Sequence, residues 1–550
     1  MNTFLRFINM ADFGETLKTI GDFGLFQKRI VFALCLPNVI LPLHLASLIF
    51  IQSNPKCHCN TDWILRAGSN LSVEEQLNLT VPRQQDGTHS MCLMFSPGDW
   101  DIETIREHGL NQTTGCQNGW VYDKTLYDST IVTEFDLVCD DVNTVGLAQT
   151  VFMAGIVLGS LLFGPFAESF GRKRATQIPM VIMLICTVTT GLSPHFYLYL
   201  SSQFAVGIAY GGFRVNSIVL ATEWVGVTRR SYASCLCQTF AGAGQLLLAC
   251  MVFFIRDWRV TQFVIAAPTA VVAVYIWFIP ESARWLLDRG RTQEAKALIL
   301  RAAAINKHTV PDTMLDQIDE KKVVQKGGIL ALIRSPVLRK YFVTISLAWF
   351  SLNLTYYCLS FNVGNFGLDI FLTQLMFGMT EIPGHILCIF ILEYIGRKKF
   401  LMSTLLTGGL TCFLILAVPQ DNAVAVTALA TAGRFFMNIA GSICNVYVQE
   451  LFPTSLRQTA TGLGSIATRV GLWSVCFLRQ GEQNYLTLQL KQRGGETTIK
   501  KDHVTLECLL NYKKMFILPT LSISFFWGQE LIVKKIDFEC LFKNILTNKM

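Results

Sequence analysis

The chain has 550 residues, of which 51% are hydrophobic and only 15% are charged, and its mean hydropathy is +0.40. Soluble domains carry roughly a quarter of their residues as charges, so this composition excludes an ordinary soluble protein and predicts a membrane protein. The net charge of +7 does not indicate nucleic-acid binding, because the basic residues gather at the ends of apolar stretches rather than along one solvated face.

Nearly uncharged stretches of about 20 residues, the length that crosses roughly 30 Å of hydrocarbon as a helix, recur along most of the chain. They lack the polar alternation of barrel strands, so the predicted fold class is an all-α polytopic membrane protein whose surroundings are the lipid bilayer. The predicted spans are 30–51, 145–167, 175–193, 197–220, 232–255, 260–279, 341–362, 369–392, 400–419, 423–448 and 460–478.

Basic residues predict the orientation. If the spans alternate, the following fall on one side, which the positive-inside rule assigns to the cytosol: Lys28, Arg29, Arg172, Lys173, Arg174, Arg229, Arg230, Arg397, Lys398, Lys399 and Arg457. Residues 1–29 are then a cytoplasmic N-terminus without a cleavable signal peptide. Residues 281–340, with 12 basic against 7 acidic side chains, are a cytoplasmic linker of short amphipathic helices that starts near Pro280 and Ser282.

The segment 52–144 faces the other side and holds 5 basic against 14 acidic residues. Asparagines followed two positions later by Ser or Thr predict N-glycosylation at Asn70, Asn78 and Asn111. Its cysteines predict two disulfides and one remaining thiol, with the pairing open; they are Cys57, Cys59, Cys92, Cys116 and Cys139. "CHC" at 57–59 lacks a second ligand pair at zinc spacing, so neither a metal nor a cofactor is expected.

Two motifs recur with nearly one offset. Glu168 and Gly171 return 225 positions later as Glu393 and Gly396, and Glu223 and Arg230 return 227 positions later as Glu450 and Arg457. The chain therefore consists of two related halves, at 30–280 and 341–478. The tail at 479–550 contains one further apolar stretch, 515–533, that could form a span.

The repeated charges have a physical role beside topology. A glycine allows a tight turn between two spans, and the arginine after it, Arg172 or Arg397, can meet carboxylates at neighbouring span ends. Such contacts, at roughly 1.5 to 3 kcal/mol each, are suited to hold helix ends together when the inner gate is shut and to part when it opens. The alternative is that basic span ends serve topology alone.

"GPFAESFGRKR" at 164–174 resembles the loop signature of the major facilitator superfamily, with Glu168 in place of the usual Asp and Ser169 in place of the usual Arg. "PESARWL", "ELFPTSLRQT", "GDFGLFQ" and the cysteine-bearing first loop add a resemblance to solute carrier family 22, the organic ion transporters, and within it to the organic anion branch. The resemblance covers residues 20 to about 472 and implies the major facilitator fold of two pseudo-symmetric six-helix halves. Beyond Gly471 the pattern stops, so the last one or two helices are expected to be atypical or missing.

Ionisable residues inside spans are costly and usually line a bundle interior or a water-filled path. Here they are Arg214, Glu381, His385, Arg434 and Arg469. Three arginines against one glutamate predict a net positive central cavity, which favours an anion.

The resemblance assigns the anion anchor to Arg469, whose alternative is a helix-end arginine that snorkels to the surface. Arg434 is the second candidate, and its alternative is an ion pair with Glu381. Trp349, Tyr356 and Tyr357 match cavity-lining positions and could clamp a planar ring, although an aromatic stripe is more often packing. The expected set also contains Asn445 and His385, which stands where anion-carrying relatives have Lys or Arg and could make affinity pH dependent.

The implied function is secondary active transport of small organic anions, nicotinate- or urate-like monocarboxylates, by alternating access at the plasma membrane. Exchange for an intracellular organic anion would cancel the electrical cost of bringing an anion inward. No P-loop, HExxH or GxSxG stands in the chain, so no enzyme is expected. Two alternatives stay open: an organic cation or carnitine transporter of the same family, and a variant that does not transport because of its aberrant C-terminus. The sequence leaves the oligomeric state open.

Overall fold

The computed structural model describes residues 11–66, 68, 70–83, 87–98, 100–226, 229–311, 334–361, 368–419, 422–452, 460–464 and 466. Within these ranges, nine helical segments are long and apolar enough to cross a membrane. A tenth helix, Arg174–Gly191, lies at the predicted span 175–193. The predicted polytopic helical class is therefore confirmed, while most of the span at 460–478, the tail at 479–550 and its stretch at 515–533 lie outside the described residues.

The N-terminal half begins with a short helix and then supplies six membrane-crossing segments, the first of them divided in two. Its helices are α1 (Ala11–Thr19), α2 (Leu25–Cys35), α3 (Ile40–Ile51), α7 (Val142–Phe170), α8 (Arg174–Gly191), α9 (Phe196–Glu223), α10 (Arg230–Phe254) and α11 (Trp258–Tyr275). Between α3 and α7 lie α4 (Val73–Thr80), α5 (Ile102–His108), α6 (Ile131–Glu134), β1 (Cys57–Cys59), β2 (Leu93–Phe95), β3 (Thr113–Gly115) and β4 (Trp120–Tyr122).

The remaining helices form the linker and the C-terminal half. They are α12 (Ala283–Asp288), α13 (Thr292–Asn306), α14 (Pro336–Phe361), α15 (Ile370–Ile395), α16 (Arg397–Ala417) and α17 (Ala423–Leu451). The Ser282 side chain caps α12 by accepting a hydrogen bond from the Trp285 backbone N–H, which confirms Ser282 as a helix start. The end of α13 is held against the start of α2, because Asn306 accepts from the Phe26 backbone N–H at 2.8 Å and donates to the Gln27 side chain at 2.8 Å.

The first span differs in shape from the single helix predicted at 30–51. It begins at Leu25 and is interrupted by a 3-10 turn at Leu36–Val39, which separates α2 from α3. Pro37 stands at the start of this turn. A proline has no backbone N–H and its ring crowds the preceding turn, so a regular helix is broken at this position.

Glycines bring α7 and α9 into direct backbone contact. Gly155 and Gly159 on α7 face Gly207 and Gly211 on α9, and a Cβ added to Gly159 would overlap the carbonyl oxygen of Ile208. Pairs of small residues four apart are a common means of close helix packing in membranes, where apolar side chains gain nothing by leaving lipid.

We expect Gly159→Ala to lower the free energy of unfolding by about 1–3 kcal/mol or more, because the added methyl forces α7 away from α9. Gly146→Ala is the matched control on the same helix, since nothing lies within 4 Å of a Cβ at that position. Thermal melting of both variants in detergent measures the difference. Equal melting temperatures would show that α7 and α9 are not packed through Gly159.

The two halves meet chiefly through α10 and α15. Gly242 lies against Glu381, Gly378 lies against Leu246, and the Gln245 amide donates to Gln374 at 2.8 Å. At one end of this contact Phe371 of α15 packs among three aromatic rings of the N-terminal half, those of Phe50, Tyr127 and Phe253.

The extramembrane segment between α3 and α7 contains strands that the sequence reading did not predict. β1 pairs antiparallel with β4 and β2 with β3. Disulfides join Cys59 to Cys116 and Cys92 to Cys139, and Cys57 is a free thiol on β1. Each strand has three residues, too few for an alternating pattern to be recognised.

Candidate functional site

A cavity of about 180 Å³ lies between the two halves. Its wall is formed by the 3-10 turn Leu36–Val39, α3, α7, α9 and α10 on one side and by α14, α15 and α17 on the other. The lining includes six of the seven residues predicted to bind substrate: Trp349, Tyr356, Tyr357, His385, Arg434 and Asn445. The seventh, Arg469, lies outside the described residues.

Arg434 forms a buried ion pair with Glu381, which was its alternative role. The Arg434 Nη2 to Glu381 Oε1 distance is 2.9 Å, and the two side chains are 4% and 8% exposed. The Tyr356 hydroxyl joins the pair, since it accepts from Arg434 Nη2 at 2.8 Å and donates to Glu381 Oε1 at 3.2 Å. Glu381 on α15 and Tyr356 on α14 therefore hold the guanidinium of α17 in one place.

The Arg434 guanidinium also lies between two aromatic rings. Its carbon is 4.6 Å from the centre of the Tyr356 ring and 4.3 Å from that of Phe377. Its Nε and Nη1 donors are buried and have no hydrogen-bond partner in the part of the chain that the structure describes. Buried donors without a partner are costly, so this arginine is poised to take an additional acceptor.

Arg214 on α9 is a second cation in the cavity wall. The side chain is partly buried, and it interacts with the tyrosines Tyr210, Tyr356 and Tyr357, donating a hydrogen bond to the last of these. Among the described residues no carboxylate forms an ion pair with Arg214. The sequence reading noted its position inside a span but did not place it in the binding set.

His385 lines the cavity, but its ring is engaged by α17. Ser442 Oγ lies 2.8 Å from Nδ1 and Asn438 Nδ2 lies 3.1 Å from Nε2. A neutral imidazole that donates from Nδ1 and accepts at Nε2 fits both contacts, with the tautomer inferred from the partners.

The charges of the described cavity wall sum to one positive charge. Arg434 and Glu381 cancel, His385 is hydrogen-bonded as a neutral ring, and Arg214 remains. The predicted excess of two positive charges depended on Arg469.

The repeated motif forms the same pair in both halves. Arg172 Nη2 lies 3.4 Å from Glu223 Oε1, and Arg397 Nη2 lies 2.9 Å from Glu450 Oε1. Each arginine also donates Nη1 to the carbonyl of the residue five positions earlier, Ala167 or Leu392. The glycines before the arginines, Gly171 and Gly396, have φ of 108° and 84°, a region that favours glycine.

Each pair joins two helices of the same half, and its separation when the inner gate opens stays a prediction. Arg172 follows α7 and Glu223 ends α9, so the pair fixes helix ends within the N-terminal half.

Other charged residues of the repeated motif interact with the same network. Arg230 is buried, and it interacts electrostatically with carboxylates of both halves, Glu223 and Glu450. Glu393 acts electrostatically on Arg397, and the backbone carbonyl of Glu168 accepts hydrogen bonds from Trp285 and Arg289. Arg457 lies outside the described residues.

Glu281 is a member of this network that the sequence reading missed, although it stands in "PESARWL". Its Oε1 accepts from the backbone N–H groups of Arg172 at 2.9 Å and Lys173 at 3.0 Å, which ties the linker to the loop between α7 and α8. Burial raises the pKa of Glu281, while these hydrogen bonds favour its ionised form.

The two ion pairs of the repeated motif differ in burial, so we expect their loss to lower the free energy of unfolding by different amounts. Arg172 and Glu223 are 5% and 2% exposed, whereas Arg397 and Glu450 are 34% and 23% exposed. We expect Arg172→Ala to cost about 3–5 kcal/mol of unfolding free energy, because it removes the cation of a buried ion pair. We expect Arg397→Ala to cost about 1 kcal/mol or less. Melting of the two variants side by side tests this, and equal losses would contradict it.

Outside the bundle, the acceptor asparagines Asn70, Asn78 and Asn111 are all exposed, as glycan attachment requires. Asn78 Oδ1 accepts from Arg83 Nη2 at 2.6 Å. No group of three or more metal-ligating side chains occurs in the ranges that the structure covers.

Comparison with known proteins places the chain in a family. Residues 101–477 match the family described as sugar (and other) transporters. Human solute carrier family 22 member 13 is 39% identical over 464 residues, which cover 84% of each chain. Human member 14 is 33% identical over 84% of this chain and 80% of the relative, and member 7 from Pongo abelii is 35% identical over 84% and 86%.

Solved structures agree on the fold. The proton:xylose symporter XylE of the major facilitator superfamily, bound to 6-bromo-6-deoxy-D-glucose, matches with a TM-score of 0.60 at 15% identity over 92% of this chain and 96% of that chain. XylE from E. coli in a partially occluded inward open conformation matches with a TM-score of 0.57 over 92% and 98%. The chain therefore belongs to solute carrier family 22 of the major facilitator superfamily, and it is an organic ion transporter of this family rather than an enzyme.

Proposed function

We propose that the chain carries small organic anions, of the nicotinate or urate type, across the plasma membrane by alternating access. The observation that carries the proposal is the buried Arg434 guanidinium, which lines the cavity between the halves and has two donors without a partner among the described residues. A carboxylate or a ring oxygen supplies the acceptor that these donors need.

The wall around Arg434 supports the choice of a planar anion. Tyr356 and Tyr357 stand edge to face, with ring centres 5.3 Å apart, and both border the cavity with Trp349. Aromatic walls favour a flat ring, and the polar tips of the tyrosines can orient its edge. A volume of about 180 Å³ is smaller than the usual drug-sized pocket and favours a single small solute.

The charges of the cavity wall support a negatively charged substrate. Arg214 has no carboxylate partner in the described part of the chain, and Glu381, the acid of the wall, is neutralised by Arg434. A cation would have to displace Arg434 from Glu381 and would still meet Arg214. Arg469 remains the anchor proposed from the family resemblance, and it would add to the same positive field.

Exchange is the proposed mode of energy coupling. Carrying an anion into a cell against an inside-negative potential costs roughly 2.3 kcal/mol per charge per 100 mV. Movement of an intracellular organic anion in the opposite direction removes this cost. The N-terminus and the basic loops are proposed to face the cytosol.

The test is uptake of labelled nicotinate and urate by cells that express this chain, beside Arg469→Asp. We expect saturable uptake that is lost in Arg469→Asp and retained in Arg301→Asp, a control at an exposed position on α13. Preloading the cells with an unlabelled organic anion should raise uptake if the mode is exchange.

Other outcomes would point to the two alternatives. Uptake of tetraethylammonium or carnitine without uptake of either anion would favour the cation transporter. Absence of every uptake, with the chain shown at the cell surface by biotinylation, would favour a variant that does not transport.

A further inference from the structure

Two buried thiols meet across the boundary between the halves. Cys235 on α10 and Cys388 on α15 lie with their sulfur atoms 3.8 Å apart, and both residues are 0% exposed. They belong to different halves, 153 residues apart in sequence. Nothing in the transport cycle proposed above uses either thiol.

The surrounding helices bring the two backbones close. About two turns further along α10, Gly242 lies against Glu381, and a Cβ at Gly378 would be 2.9 Å from the Leu246 backbone. A disulfide needs its sulfur atoms at about 2.05 Å and its Cα atoms within roughly 7 Å. Side-chain rotation together with a small approach of helices already in backbone contact can supply the remaining closure.

A second thiol pair on the same helix provides a comparison. Cys237 lies 3.4 Å from Cys35, sulfur to sulfur, and both belong to the N-terminal half. Two cysteines of α10 that are two positions apart thus face different partners: Cys235 faces the other half, whereas Cys237 faces its own half and borders the cavity.

We propose that Cys235 and Cys388 are an oxidant-sensitive dithiol that closes to a disulfide under peroxide and fastens the two halves at the end of the bundle that carries the basic loops. Cys235 is five residues from the start of α10 at Arg230, and Cys388 is seven from the end of α15 at Ile395. Opening of the cavity toward this side requires these helix ends to separate, and a covalent bond between them prevents it.

Hydrogen peroxide is the oxidant that converts the two thiols to a disulfide. When this end opens, one thiol reduces hydrogen peroxide to water and becomes a sulfenic acid. When it closes, the second sulfur attacks the sulfenic sulfur, the S–S bond forms, and a second water leaves. In total two protons and two electrons pass from the thiols to one peroxide, and an added dithiol reverses the step by exchange.

The link is tested on the full chain with a site-specific protease sequence inserted after Pro311, between the halves. The protein is treated with hydrogen peroxide, blocked with N-ethylmaleimide, cleaved, and run on a denaturing gel without reductant. We expect the halves of the wild type to stay together and to separate in dithiothreitol. Cys237→Ser should behave as the wild type, whereas Cys235→Ser and Cys388→Ser should separate without reductant.

Separation of the wild-type halves after peroxide and also after copper–phenanthroline would overturn the proposal. So would a link that survives in Cys235→Ser or Cys388→Ser. Because a serine variant could fail to fold, the linked peptide containing both cysteines is also sought by mass spectrometry in the wild type, and its absence would overturn the proposal independently of any variant.

The effect on transport is a separate arm, and it rests on the proposed function. Peroxide should remove most anion uptake by the wild type, dithiothreitol should restore it, and Cys388→Ser should be insensitive. If the disulfide forms and uptake is not reduced, the proposal that the disulfide arrests the transport cycle is wrong. If uptake is missing before peroxide is added, the proposed function fails, while the gel still decides whether the thiol pair exists.

Discussion

We expect Arg434→Met to abolish anion uptake and to lower the free energy of unfolding by about 3–5 kcal/mol. The substitution removes the cation of a pair whose members are 4% and 8% exposed, and it leaves the Glu381 carboxylate buried without a counter-charge. The Tyr356 hydroxyl also loses the donor that lies 2.8 Å away. Uptake of labelled nicotinate and melting in detergent measure the two effects.

The double variant Arg434→Met with Glu381→Leu separates the two roles. Replacing both members of a buried pair by apolar side chains of similar size is often neutral for stability, so melting should recover toward that of the wild type. Uptake should stay lost, because the buried donors are gone. Recovery of uptake in the double variant would show that Arg434 only neutralises Glu381 and does not bind substrate.

The second large effect is expected at Arg214. We expect Arg214→Glu to weaken anion binding by about 10- to 100-fold or more, because it removes a charge-assisted contact and reverses the charge left over in the described wall. Three tyrosines interact with the Arg214 side chain, namely Tyr210, Tyr356 and Tyr357. They can also hold the shorter cationic side chain of a lysine. Arg214→Lys, which keeps the charge but loses the fork of donors, should retain most of the uptake.

Competition measurements make the Arg214 prediction sharper. If the cavity selects by charge, Arg214→Glu should let tetraethylammonium compete with labelled nicotinate more strongly than it does in the wild type. An unchanged order of competitors in this variant would mean that Arg214 is too far from the substrate to influence its selection.

The helices were predictable because each crossing needs about 20 apolar residues, and this requirement leaves a direct mark on the sequence. The helix Arg174–Gly191 was located in the same way, at the predicted span 175–193. The break at Pro37 was not predicted, because the apolar run from 30 to 51 continues through it. The short strands at Cys57–Cys59 and Trp120–Tyr122 were missed for a different reason, since their pairing depends on partners more than 60 residues away.

Six of the residues predicted to bind substrate line the cavity, but their pairing could not be predicted. The sequence showed that Glu381 and Arg434 both lie inside spans, and it left their contact open as an alternative. Whether side chains 53 residues apart face each other depends on how α15 and α17 are rotated, which the apolar pattern does not determine. For the same reason Arg214 was recognised as intramembrane without being placed beside Tyr357.

The internal repeat in the sequence predicted the two ion pairs but not how deeply each of them is buried. An offset of 227 aligns Glu223 with Glu450, an offset of 225 aligns Arg172 with Arg397, and the structure forms both pairs. One pair is buried under the linker, where Glu281 and Trp285 contact the loop, and the other is open to solvent. Burial at this point comes from α12, an element without a counterpart among the described residues of the second half.

The cavity between the halves is proposed to bind an organic anion at Arg214 and Arg434. Equilibrium binding of labelled nicotinate to the purified chain in nanodiscs tests it most directly, because no transmembrane potential and no counter-ion are involved. We expect saturable binding that urate displaces, that tetraethylammonium does not displace, and that Arg214→Glu weakens by about 10- to 100-fold or more. Binding of tetraethylammonium with no binding of either anion, or anion binding that persists in both Arg214→Glu and Arg434→Met, would contradict it.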